Sequence, residues 1–185
     1  MKNSILKFPI LLATAFLLSD CKPSEKVPSN EKEVSVPCRE FTSDNKFFRS
    51  NNVGESMNQS VSKKIAMTNA RNDLASAIAT QVKTVTDNYI NSRNFNNREE
   101  LEAKYQTMNN EVVNQTLSGI RTVCEKLVQT KSGTYKTYIA IELSASDLVS
   151  KYNETITKDE KLRIDYDYEK FREIFEKEMQ KRGGN

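Results

Sequence analysis

One long amphipathic segment, Met57 to Ile90, constrains this chain more than any other stretch. Val61, Ile65, Ala70, Leu74, Ile78, Val82, Val85 and Tyr89 recur three to five residues apart, which is the spacing of one apolar stripe on one helix. Ser56, with Gln59 three residues on, offers a hydroxyl and an amide that can reciprocally satisfy the first free backbone N–H groups. At about 1.5 Å per residue such a helix runs roughly 50 Å, more than the width of a small domain, so it kinks or overhangs. Its small residues Ala66, Ala70, Ala75, Ala77 and Ala79 invite a second layer to pack close to the backbone. The expectation is an α+β domain with this helix as its spine.

The other elements follow from changes of period. Lys46 to Val53, with Phe47, Phe48 and Val53 before Gly54, reads as a strand. Asn91 to Asn97 is a polar turn, and Asn97 with Glu100 can cap a second helix carrying Leu101, Tyr105, Met108 and Val112 on one face. From Leu117 the period is two. Val123 and Leu127 fall on one side, Ile120, Cys124 and Val128 on the other, and Lys131-Ser132-Gly133 makes a turn. Tyr135, Thr137, Ile139, Ile141 and Leu143 then alternate with Lys136, Tyr138 and Glu142, a strand with one buried face that completes a hairpin. Ser144 with Asp147 can start a helix through Tyr152, and Tyr168 to Lys181 carries Phe171, Ile174, Phe175 and Met179 at helical spacing before Gly183. The predicted core is strand-helix-strand-strand, with a second helix and C-terminal helices packed on a small antiparallel sheet.

The N-terminus has its own logic. Lys2 and Lys7 precede an apolar run from Phe8 to Leu18 that is short for a bilayer span, so residues 1–20 read as a secretory signal. Leu18-Ser19-Asp20-Cys21 resembles a bacterial lipobox, which makes Cys21 the lipidated first residue of the mature chain. Asp20 departs from the small residue usual there. Two or three acyl chains anchor stably where one binds only marginally. Lys22 to Pro37, rich in proline, serine and charge, is a tether able to hold a domain on the order of 50 Å from the membrane. Residues 38–185 are then one domain in the periplasm or at the cell surface, anchored to the outer membrane. The two remaining cysteines, Cys38 and Cys124, can pair after export, closing a loop of about 87 residues.

The run Phe47-Phe48-Arg49 with Gly54, then Ala66, Ala70-Arg71, Leu74-Ala75, Ile78, Leu117-Ser118-Gly119-Ile120 and Tyr135-Lys136-Thr137-Tyr138-Ile139 is similar to the Lpp-twenty family of small bacterial surface lipoproteins. More distantly it resembles the N-terminal domain of the flagellar T-ring assembly protein. The resemblance covers about residues 46 to 143. It implies a strand-helix-strand-strand domain on an envelope lipoprotein without established enzyme activity, and it transfers no catalytic residue.

The residue inventory narrows the chemistry. The chain has no histidine, which removes Ser-His-Asp and Cys-His catalysis and the commonest zinc ligand. Five glycines and no phosphate-loop pattern argue against nucleotide chemistry, and a net charge of +3 over 185 residues does not point to nucleic acid. Asp165, Asp167, Glu169 and Glu176 superficially match a calcium loop, but Lys170 stands where that loop needs glycine, so they read as acids near a helix start. Glu99, Glu100 and Glu102 read as a solvated first turn, and Ser132 has no base beside it. No cofactor is called for. The expected function is a non-catalytic envelope lipoprotein that binds an envelope protein or cell-wall component, or itself. The alternative is a cell-wall hydrolase working through two carboxylates about 5 to 10 Å apart. Tyr138, Lys136 and Tyr135, on a second hairpin strand presenting one free edge, form the expected partner face.

Overall fold

The computed structural model describes residues 34–93, 95 and 97–182. The signal segment, Cys21, the tether as far as residue 33 and Gly183-Gly184 lie outside the described residues. Val36–Asn185 forms one compact unit of the α+β class, in the order β1 (Phe47–Ser56), α1 (Gln59–Asn91), α2 (Arg98–Thr116), a 3-10 turn (Leu117–Gly119), β2 (Arg121–Gln129), β3 (Tyr135–Ser144), α3 (Ala145–Lys158), α4 (Leu162–Asp165) and α5 (Tyr168–Gln180).

The spine helix starts two residues later than expected, its cap moved from Ser56 to Asn58. Asn58 is the cap, its side-chain oxygen accepting from the Ser60 and Val61 N–H groups, while the Ser56 hydroxyl accepts from the Asn58 N–H. The buried stripe also departs from the expected one at its first two positions. Ala70, Leu74, Ile78, Val82, Val85 and Tyr89 are buried as expected, but Val61 and Ile65 are 45% and 36% exposed, and Ser62 and Ala66 are buried in their stead. Gly54 of β1 gives the reason: a Cβ built there would lie 2.1 Å from the Ser62 carbonyl oxygen and 2.5 Å from the Ala66 nitrogen. Helix and strand touch backbone to backbone, so only small side chains fit between them. Of the five alanines, Ala66 serves this approach and Ala70 is buried one turn on, while Ala79 faces solvent.

The sheet order is β1-β3-β2, antiparallel throughout. The second hairpin strand is therefore central and offers no free edge, which corrects the expected partner edge. The first strand, from far earlier in the chain, pairs with it in an unbroken register from Phe47 opposite Ser144 to Ser56 opposite Tyr135. The hairpin turns at Gly133, whose φ of +86° is the left-handed conformation that favours glycine. β2 shifts register between Thr122 and Cys124.

Thr137, Ile139, Ile141 and Leu143 bury one face of β3 against the helices as expected, but Ala140 and Glu142 on the opposite face are buried too. The chain before β1 causes this. Cys38 is disulfide-bonded to Cys124 of β2, and the Phe41 carbonyl accepts from the side chain of Asn51 on β1. Cys124 and Asn51 are the two residues that flank Ala140 across the sheet.

The α2 stripe of Tyr105, Met108 and Val112 is buried and Leu101 half-buried. Asn97 precedes the helix but makes no side-chain capping bond, which corrects its expected role. Ser144 caps α3 through the Asp147 N–H, and Asp167 caps α5 through the Lys170 N–H. The single turn α4 between them was not expected from the sequence. Where α1, α2, α3 and α5 converge, Tyr89, Tyr105, Tyr152, Tyr166 and Phe171 form an aromatic cluster, with Tyr152 stacked on Phe171 at 4.1 Å between centroids.

Candidate functional site

The face of the sheet turned away from α1 holds most of the residues singled out from the sequence. Lys136 and Tyr138 lie on it, half-buried on the central strand, whereas Tyr135 points to the helix side at the strand end, so the three do not share one face. Across the strands, Val53, Tyr138 and Lys126 form one row, and Glu55, Lys136 and Val128 the next. Lys136 pairs with Glu55 at 3.3 Å, and Val53 and Val128 are 42% and 44% exposed.

At the other end of this face an ion ladder spans all three strands. Glu142 on β3 receives Arg49 Nε from β1 at 2.9 Å and an Arg121 guanidinium nitrogen from β2 at 2.7 Å. Arg49 also reaches Asp44 at 2.6 Å and sits over the Phe47 ring. Desolvation alone would raise the Asp44 carboxyl, but the Lys46 N–H, the Arg49 side chain and the Phe47 N–H together hold it below its ordinary value. The ladder is a structural tie whose carboxylates are fully engaged.

The disulfide joins residues 86 positions apart with Cα atoms 5.7 Å apart, inside the usual range for a bridge. It fastens the point where the expected tether ends to the hairpin. Cys38 itself has a φ of +64°, uncommon for a residue with a side chain, and is buried.

Among the described residues the grooves that gather acids set them beside cations or backbone donors: along α5, Glu169 pairs with Arg172, Glu173 with Lys170, and Asp167 caps the helix. A groove of about 590 Å³ between α3, α5 and the start of β1 is lined by Phe47, Ser146, Val149, Arg172 and Phe175, with Glu176 its one carboxylate. A smaller groove beside α2 gathers Glu100, Glu111 and Asp159. There Lys161 holds Glu100 below its ordinary value, and the Leu162 N–H does the same for Asp159. Lys158 and Lys151 hold Glu154 down to about 2. A general acid needs the opposite displacement. Asp165 ends α4 and Asp167 caps α5, and among the described residues no group of three or more cysteines, histidines or acids is placed to hold a metal. The Ser132 hydroxyl bonds the Thr130 hydroxyl within the hairpin turn.

The sequence placed Tyr89 and Tyr105 on buried stripes but did not reveal the convergence of Tyr89, Tyr105, Tyr152 and Tyr166. Burial raises Tyr152 well above its ordinary value and raises Tyr105 and Tyr166 as well. Tyr152 bonds the Thr86 hydroxyl at 3.0 Å, and Tyr89 accepts from the Asp167 N–H at 2.8 Å. They serve as amphipathic core residues. Only their mutual approach marks them out, and spacing along the chain does not encode it.

No family model, curated protein or solved structure matches this chain.

Proposed function

We propose that the chain is a bacterial envelope lipoprotein, acylated at Cys21, whose compact unit acts by binding and not by catalysis. The observation that carries the reading is the Cys38–Cys124 bond at the point where the tether meets the fold, because such bonds persist in oxidising compartments outside the cytosol. It agrees with the lipobox-like Leu18-Ser19-Asp20-Cys21 and with the proline-bearing tether. The resemblance over residues 46 to 143 points the same way. Tethering raises the effective concentration near envelope partners, so a modest contact surface suffices for occupancy.

Binding is favoured over the hydrolase alternative by the carboxylates. The larger groove has a single acid, Glu100 and Asp159 in a smaller one are held ionised by lysine and backbone donors, and the acids of the groove along α5 are paired with Lys170 and Arg172 or cap the helix. A carboxylate hydrolase needs one acid kept protonated opposite another.

Intact mass measurement of detergent-extracted protein tests the anchor: the N-terminal peptide begins at Cys21 and carries fatty acyl groups. A chain that retains residues 1–20, or begins at Cys21 without acyl groups, ends the lipoprotein reading. Turnover of a cell-wall glycan or peptide by the purified protein ends the binding reading.

A further inference from the structure

The two edges of the sheet are not alike. The β2 edge carries the charged Arg121, Glu125 and Lys126 and a register shift between Thr122 and Cys124, features that discourage pairing with another strand, beside exposed Leu127 and Val128. The β1 edge is divided. Over its first half the preceding segment occupies the outward-facing backbone: Phe47 exchanges bonds with Asp44, and Arg49 donates to and accepts from the Ser43 hydroxyl. Lys46, one residue out of phase, turns its carbonyl to Ala145, in line with β3. Successive residues of an antiparallel strand alternate in this way. Asn51, Val53 and Glu55 therefore also direct their N–H and C=O groups away from β3, and there no backbone covers them among the described residues. The Val53 N–H meets only the Asn52 side chain, at 3.2 Å.

This open half-edge has apolar flanks. Val53 is exposed on the outer side, and the unexpectedly exposed Val61 and Ile65 lie on the helix side, Ile65 with its Cβ 3.0 Å from where a Gly54 Cβ would be. Acids stand at both ends: Glu55 on the strand, half-exposed beside its partner Lys136, and Asp73 of α1, which accepts from the Asn52 side chain at 2.6 Å. A second copy is disfavoured as the occupant: antiparallel pairing across this edge would set its spine helix on the same face as α1, which meets β1 backbone to backbone at Gly54.

We infer that the half-edge Asn51–Glu55 accepts an extended segment of a partner protein as a fourth strand, one with apolar side chains at alternate positions and a lysine or arginine at its ends. Main-chain bonds to Asn51, Val53 and Glu55 supply affinity, Val53, Val61 and Ile65 receive the apolar side chains, and Glu55 and Asp73 select the basic ends. The inference rests on the binding reading and names its partner class.

A random heptapeptide display library panned on the full chain carrying Cys21→Ser tests it apart from acylation. Enriched peptides alternate apolar residues with basic ends, and on binding they slow amide exchange at Asn51, Val53 and Glu55. Val53→Pro removes an N–H that the β1–β3 ladder does not use, so it weakens these peptides about tenfold or more while the thermal transition stays cooperative. Ile65→Glu weakens them too and serves if the proline variant does not fold. Failure to enrich peptides, protection confined to other amides, or equal binding by a folded variant overturns the inference, whatever Cys21 carries.

Discussion

The hydroxyls of Ser62 on the spine helix and Thr137 on the central strand lie 2.7 Å apart, both residues sealed from solvent. Neither side chain is apolar, yet this pair sits where α1 crosses the sheet. The Ser62 hydroxyl donates to the Gln59 carbonyl at 2.8 Å and can accept from Thr137, so the contact avoids the cost of a buried unpaired polar group. Small size is what the site demands, because Gly54 brings the helix backbone onto β1 beside it.

Gly54→Ala is accordingly the most damaging single-methyl change. The added carbon has nowhere to go without moving backbone, and the loss should be about 3 kcal/mol or more. Urea denaturation decides it; a variant within about 0.5 kcal/mol of wild type would mean the helix does not rest on Gly54.

This site also shows where the sequence was legible and where it was not. Periodicity located the spine helix, the hairpin and the C-terminal helices because their stripes of Leu74, Ile78 and Val82, of Ile139 and Ile141, and of Phe171 and Phe175 are buried for being apolar. It misassigned Val61 and Ile65 because the rule counts hydrophobicity, whereas at Gly54 the deciding quantity is distance. It left β3 at an edge because the pairing of β1 with β3 joins segments some ninety residues apart, a relation no local period carries. Asn58 outcompeted Ser56 as cap because its side chain reaches both the Ser60 and Val61 N–H groups.

Breaking the Cys38–Cys124 bond should cost about 4 kcal/mol from chain entropy, less whatever structure the reduced unfolded chain keeps. Thermal melts with and without reductant measure it. Alkylation of both thiols in denatured, unreduced protein would show that the bond does not form.

Glu142→Gln should be costly and Arg121→Ala cheap. Glu142 is buried and faces two guanidinium groups, so its neutralisation removes the carboxylate they share and leaves Arg49 with Asp44 alone, at about 2 to 3 kcal/mol. The Arg121 side chain is 67% exposed, and its removal should cost under about 1 kcal/mol. Equal losses by urea denaturation would contradict the asymmetry.

The buried tyrosines set the alkaline limit. Desolvation places Tyr152, Tyr105, Tyr166 and Tyr89 above their ordinary value in the folded state, so the stability they contribute is complete below about pH 10 and falls as pH rises beyond it, where the unfolded chain ionises first. Absorbance titration of the seven tyrosines should therefore show part of the phenolate signal delayed until circular dichroism reports unfolding. A single reversible step near pH 10, with the fold intact throughout, would refute this packing.

The chain enters the fold at Cys38 and is bonded there to β2 before it crosses to β1. Any pull on the chain upstream of Cys38 is thus delivered through a covalent bond into the middle of a hydrogen-bonded strand. Residues 39–46, held along the β1 edge by the bonds of Phe41, Ser43 and Asp44, are bypassed by the load path and cannot be peeled away from that end. A fold is most easily unravelled by a pull from a loose end, and at Cys38 this end is riveted.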